Sequence, residues 1–304
     1  MRARSGKCSA TDMASIALAL FTIAIWSTLA IMSAGTANLP PLFAVGAALC
    51  VGGLVGIVRI KDWRVPAATL AVGVGGIFGY HALLFAAFRL APAVEVNILN
   101  YLWPLLIVAL APVYLRGYTL APRNILGALL GLAGAVLVVS GGGKLRLDLA
   151  GLPGYALAVS AAFVWASYSL LTKRVPAFPT GAVGLFCLVS GALSLGLWAS
   201  GELAVTGTIA LPALTKPEAV YLVLLGLGPM GGAFYTWDAA LKRGDPRTIG
   251  ALAYLTPLLS TMNLIVFGGK KLSAASAAAM ALIIAGAVIG SMKKRSMHGH
   301  TKKV

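Results

Sequence analysis

The amino-acid sequence predicts an all-α integral membrane protein, with ten transmembrane helices in two inverted five-helix repeats and both termini in the cytoplasm. Three observations predict it. Charge is too scarce to cover a water-facing surface, apolar runs of spanning length recur ten times, and the second half of the chain repeats the first motif by motif.

Of 304 residues, 59% are hydrophobic and 11% are charged. A soluble domain of this size carries about 25% charged residues, so lipid is the solvent this chain fits. The formal net charge is +16, but the basic residues fall in short groups between apolar runs, as in Arg59-Ile60-Lys61 and Lys242-Arg243. They read as loop charges at a membrane surface. A nucleic-acid partner needs a clustered basic face, and none is expected here. Cys8, Cys50 and Cys187 have no metal-ligand spacing, and the last two lie inside apolar runs as small buried hydrophobes. The first run, 13–33, is too long for the apolar core of a signal peptide and reads as a retained helix.

A spanning helix needs about 20 apolar residues. Run length and loop punctuation predict helices over 13–34, 38–58, 66–88, 93–115 and 122–141, then over 151–172, 180–200, 217–241, 247–267 and 272–292. Cytoplasmic loops collect Lys and Arg. With the N-terminus inside, eighteen of the 24 Lys and Arg fall on the cytoplasmic side, and Arg89, Lys144, Arg146, Lys216, Lys270 and Lys271 fall outside. An odd number of spans would scramble that alternation.

Tyr101-Leu-Trp-Pro-Leu-Leu106 recurs as Tyr254-Leu-Thr-Pro-Leu-Leu259, an offset of 153. At the same offset Gly73, Gly75 and Gly79 match Gly226, Gly228 and Gly232. Ala133-Gly-Ala-Val136 matches Ala285-Gly-Ala-Val288, and Trp26 matches Trp165. The matches keep their order, with one insertion between the seventh and eighth helices. The halves, 1–143 and 144–304, form one membrane-embedded bundle. Five is odd, so the second half enters from the opposite side, and such inverted repeats place a substrate site near the midplane, at the repeat interface.

Pro104 and Pro257 lie near the middle of the fourth and ninth helices and are expected to act as hinges, since each removes a backbone hydrogen bond. Asn97, Asn100, Tyr101 and Pro104 share one stripe of the fourth helix, flanked by Trp103. Gly250, Tyr254, Pro257 and Thr261 form the matching face of the ninth. Amides facing lipid would stay unpaired, so the two asparagines face protein or a wet cavity. Helix–helix hydrogen bonding is the plainer use of them. Tyr80-His81 stands where the second repeat has Ala233-Phe234. A histidine at that depth is expected to be neutral, as a ligand to substrate, a proton relay or a structural hydrogen bonder. Trp26, Trp103 and Trp165, the last near Ser167 and Tyr168, sit too deep in their runs to be interface anchors. The candidate substrate-binding set is therefore Tyr80, His81, Asn97, Asn100, Tyr101, Trp103, Trp165 and Tyr254.

Gly75/Gly79 and Gly228/Gly232 read as small-residue pairs for close helix packing. The letters Gly226-Leu-Gly228-Pro-Met-Gly231 match a dinucleotide fingerprint but lack its strand–turn–helix context. Ionisable residues inside the runs reduce to His81, Glu95 and Asp238, and Asp238 is spaced to pair with Lys242. No carboxylate lies between Met13 and Ala34. His298 and His300 are too sparse for a metal site, so no metal or cofactor is expected, and no nucleophile–base set marks an enzyme.

The repeat, the tryptophans of the first and sixth helices and the two proline motifs resemble the drug/metabolite transporter superfamily in its ten-helix EamA-type branch. Asn97 to Pro104 with Tyr80-His81 is most similar to bacterial YddG-type exporters of aromatic amino acids. The resemblance implies an inner-membrane exporter of aromatic and other neutral amino acids and related metabolites. It would work by alternating access around the fourth and ninth helices, with a small-molecule substrate and the lipid bilayer as partners and the monomer as functional unit. Four-helix members of the superfamily use a helix-one carboxylate for proton-coupled export. Its absence here points to facilitative transport, with proton-coupled multidrug efflux as the alternative and a membrane-embedded enzyme or scaffold as the reading from another class.

Overall fold

The computed structural model describes residues 10–140, 142–143, 148–266 and 274–291. Arg2, Arg4, Lys7, Cys8, Lys144, Arg146, Lys270, Lys271, the basic residues over 293–303, His298 and His300 lie outside the described residues.

All regular structure among the described residues is helical. In chain order it comprises α1 (Ala10–Ser27), α2 (Leu29–Ala34), α3 (Pro41–Val55), α4 (Ala67–Leu90), α5 (Ala93–Asn100), α6 (Leu102–Tyr114) and α7 (Pro122–Ser140). Then come α8 (Leu152–Leu171), α9 (Val183–Thr206), α10 (Lys216–Leu227), α11 (Gly232–Arg243), α12 (Pro246–Ala253), α13 (Leu255–Val266) and α14 (Ala274–Ser291). Short 3₁₀ turns join some of them. Proline punctuates the starts, since at a first turn its missing N–H costs nothing. Pro41, Pro217 and Pro246 open α3, α10 and α12, and Pro66 and Pro92 directly precede α4 and α5.

Among the described residues, eight helical stretches are long and apolar enough to cross a membrane, from Ala10–Ala34 to Lys216–Arg243. The pair α12–α13 and the helix α14 complete the bundle. Apolar side chains on its outer surface, such as Val113 at 73% exposure and Phe163 at 46%, suit contact with lipid.

Besides the one-residue interruption at Thr28 between α1 and α2, three spans are broken. The α5/α6 break falls at Tyr101 and the α12/α13 break at Tyr254, with Pro104 and Pro257 in the first turn of the helix that follows. The third break was not expected: the predicted helix over 217–241 divides between α10 and α11. Gly228 (φ −100°, ψ −107°) and Gly231 (φ −142°, ψ −77°) leave the helical region around Pro229, which has no N–H to carry the ladder on. The fingerprint-like letters over 226–231 are thus a helix break. The seventh predicted helix also runs further, to Thr206, where Gly207 at φ 73° takes the left-handed position that ends it.

The helices pack mainly as α7 on α14, α3 on α9, α4 on α8 and α1 on α11. Small residues let backbones approach: a Cβ on Gly127 would lie 2.6 Å from the Gly290 Cα. On α4 the closeness is at Gly73 and Gly76, against Phe186 and Tyr168, rather than at the expected Gly75/Gly79 pair. A Cβ on Gly75 would meet only open space. Helical phase explains the correction, because residue 75 lies about 100° around the helix from residue 76 and faces outward.

Candidate aromatic transport site

Where α1, α4, α6, α8 and α11 converge, their inward faces carry aromatic rings. Trp26 on α1 lies 6.0 Å from Trp103 on α6, 5.9 Å from Trp165 on α8 and 5.0 Å from Trp237 on α11, between ring centroids. Trp103 in turn meets Trp165 at 6.4 Å and Trp237 at 5.7 Å, both edge to face, a geometry the ring quadrupoles favour. Phe234 packs on Trp165 at 5.4 Å, and Tyr80 on α4 packs on the same ring at 5.1 Å. Trp103, Trp165 and Trp237 are buried, and Trp26 is half-buried.

Polar groups anchor this cluster. The Trp26 indole N–H donates to the Pro229 carbonyl at 3.0 Å, an acceptor freed by the α10/α11 break. The Trp237 indole donates to Ser169 Oγ at 3.1 Å, and the Thr22 and Thr236 hydroxyls pair at 2.7 Å between α1 and α11. Asn100 Nδ2 donates to the Tyr80 hydroxyl at 3.1 Å, while Asn100 Oδ1 is buried without a partner. His81 Nδ1 lies 2.7 Å from the Ile77 carbonyl, one turn back on α4. A carbonyl can only accept, so Nδ1 carries the proton and a neutral ring presents Nε2 as an acceptor. The His81 ring stands 5.0 Å from Tyr80 and 6.2 Å from Phe234.

Of the eight sequence candidates, Tyr80, His81, Asn100, Trp103 and Trp165 are thus brought together. Asn97 is half-buried one turn before the break, and its carbonyl accepts the Tyr101 N–H at 3.0 Å. Tyr254 is fully buried in a separate apolar cluster with Val108, Ala128 and Ile283. Its hydroxyl accepts from the Leu105 N–H and donates to the Tyr101 carbonyl, both at 3.2 Å. It is inserted into the bond that would otherwise join residues 105 and 101 along a continuous helix. Pro104 and Pro257 are buried beside the two breaks. Sequence reasoning missed Trp237, which completes the cluster. Its spacing of three from Phe234 put both rings on one helix face and was the available signal.

The end of the bundle that carries Lys173 is tied across several elements. Lys173 Nζ donates to the Leu241 carbonyl and, at 2.9 Å, to the Gly244 carbonyl, so it caps the C-terminus of α11. Partial burial draws its pKa below the ordinary lysine value, with Asp245 pulling the other way. The expected Asp238–Lys242 pair forms at 2.6 Å. It extends further, because Thr180 Oγ1 donates to Asp238 at 2.7 Å and Lys242 Nζ to the Phe178 carbonyl at 2.9 Å. Arg247 reaches the Thr119 carbonyl and lies over the Tyr118 ring.

The profile of the EamA-like transporter family matches residues 13–140 and 152–292. The aromatic amino acid exporter YddG of Ancylobacter novellus is 39% identical over 289 residues, 90% of this chain and 95% of that protein. The protein of the same name in Escherichia coli K12 is 27% identical over 84% of this chain and 89% of its own length. A crystal structure at 37% identity superposes with a TM-score of 0.85, covering 92% of this chain and 97% of the other. Matched along nearly its whole length, the chain belongs to the EamA-like transporter family, within the drug/metabolite transporter superfamily.

Proposed function

We propose that this chain exports aromatic and other neutral amino acids across the bacterial inner membrane. It acts facilitatively, by alternating access, through ten transmembrane helices in two inverted repeats with both termini in the cytoplasm, and as a monomer. The observation that carries the reading is the four-tryptophan cluster drawn from α1, α6, α8 and α11, bordered by Tyr80, His81 and Asn100. Apolar faces with a few fixed polar groups suit a ligand with an aromatic body and a polar head. The relatives named as aromatic amino acid exporters support the same substrate class.

Helix pairing supports the inverted repeat. A two-fold exchange of the halves maps α7–α14 and α3–α9 onto themselves and swaps α1–α11 with α4–α8. The broken spans support alternating access, since unwound segments beside a central site are how secondary transporters combine a binding point with a hinge. In this topology the Lys173 end faces the cytoplasm, and the ties across it belong to a state closed on that side. Beyond Asp12 in its first turn, α1 holds no carboxylate, which favours downhill transport over proton exchange through a carboxylate at the middle of the first span.

Uptake of labelled tryptophan, phenylalanine and threonine into proteoliposomes, with and without an imposed pH gradient, tests this. Saturable uptake that ignores the gradient is expected. Gradient-driven movement of a cationic dye, with no amino-acid uptake, would replace the reading with proton-coupled multidrug efflux. Chemical turnover without transmembrane movement would replace it with an enzyme.

A further inference from the structure

Two cavities outside the aromatic cluster share one residue, Tyr114. The first, of about 420 Å³, lies at the Lys173 end and is lined by Tyr114, Leu115, Arg116, Tyr118, Lys173 and Arg174. The second, of about 360 Å³, runs between α4 and α8 and is lined by apolar groups such as Ala71, Gly75, Phe163 and Leu171. At the junction the Tyr114 hydroxyl pairs with Ser167 Oγ at 3.0 Å. One cavity is cationic and the other apolar.

The charges are available. Lys173 is committed to the Leu241 and Gly244 carbonyls, but Arg116 and Arg174 are exposed, and neither belongs to an ion pair among the described residues. The apolar cleft faces outward: Ala71, Gly75 and Phe163 are exposed, on a surface that lies in lipid in a multi-pass protein. A zwitterionic amino acid gains nothing along such a wall. A ligand with a phosphate at one end and a hydrocarbon chain at the other matches both cavities at once.

We propose that this paired cavity binds one anionic phospholipid, with its phosphate between Arg116 and Arg174 and an acyl chain in the cleft between α4 and α8. The site borders the aromatic cluster through Tyr168, which lines the cleft and packs on Trp165 at 5.3 Å, but it does not depend on what the protein exports. Such a lipid would pack against α8 and the Tyr114–Ser167 contact, and so brace α6 against α8 at the tied end.

Native mass spectrometry of the full chain, in detergent supplied with palmitoyl-oleoyl phosphatidylglycerol or with the matching phosphatidylcholine, tests this. One phosphatidylglycerol per chain should be retained in preference to phosphatidylcholine. Arg116→Gln with Arg174→Gln should weaken retention about thirtyfold. Arg59→Gln with Arg64→Gln removes the same charge from exposed positions outside the two cavities and should leave retention unchanged. Gly75→Phe fills the cleft from a position where an added Cβ meets nothing, and it should also weaken retention. Equal loss from both arginine pairs would overturn the proposal, as would unchanged retention in Gly75→Phe or equal retention of the two lipids. Binding of free glycerol phosphate as tight as that of the lipid would make this a soluble-anion site and overturn it too.

Discussion

The two proline-broken spans share the sextet Tyr-Leu-x-Pro-Leu-Leu, break at the same tyrosine and place proline in the same first turn, yet they do different work. At the α5/α6 break, Trp103 enters the aromatic cluster and Asn100 reaches Tyr80. At the α12/α13 break, the equivalent positions hold Thr256 and Ala253, both buried. The second break instead supplies Tyr254, whose ring packs against Gly131 and whose hydroxyl holds the first break open. A repeated motif dictates the same backbone twice, and the few positions that differ decide which copy joins the aromatic cluster and which copy braces it.

Importing the second copy's residue into the first should have the largest effect. Trp103→Thr removes three ring contacts worth about 0.5–1.5 kcal/mol each. Tryptophan flux in proteoliposomes should fall at least about tenfold, whereas Thr256→Val in the other copy should leave it near wild type. Comparable losses from both would erase the division of labour.

Next in size is the brace. Tyr254→Phe deletes both hydroxyl bonds at the first break and should destabilise the protein by about 1–3 kcal/mol, read as a lower melting point in detergent. Tyr101→Phe should not, since Tyr101 enters that brace through its main-chain carbonyl alone. An unchanged melting point for Tyr254→Phe would remove the brace.

Pro104→Ala restores an N–H in the first turn of α6, where proline costs little stability. It should slow turnover severalfold at unchanged KM in exchange assays, and Pro257→Ala should slow it less. Weakened KM with normal turnover would count against a hinge. Smallest should be Asn100→Ala, which removes one hydrogen bond, worth about 1 kcal/mol, together with an unpartnered carbonyl oxygen. A change in KM of under about fivefold is expected.

What the sequence revealed and what it hid divide along the same line. Apolar runs reveal spans because run length is a one-dimensional property, and Trp26, Trp103 and Trp165 stand out because they lie deep inside such runs. The break around Pro229 was hidden in a long apolar run, where the glycines read as packing residues. Facing is harder still. Gly73 and Gly76 touch neighbours while Gly75 looks outward, a difference of phase that no neighbouring polar residue marks when a helix is apolar all round. In the sequence Tyr254 shares a face with Gly250, Pro257 and Thr261 that matches the polar stripe of Tyr101. The partner of its hydroxyl is a main-chain bond 149 residues away in sequence, which the motif itself does not encode.

Four of the chain's six tryptophans lie in a single cluster, and only Trp63 and Trp198 stand apart. Their ultraviolet emission is therefore pooled at one spot, where excitation passes between rings at van der Waals distance. A motion that draws Trp26 away from Pro229 breaks their hydrogen bond and changes that emission without an added label. The molecule thus carries its own optical gauge of the contact between Trp26 and the α10/α11 break.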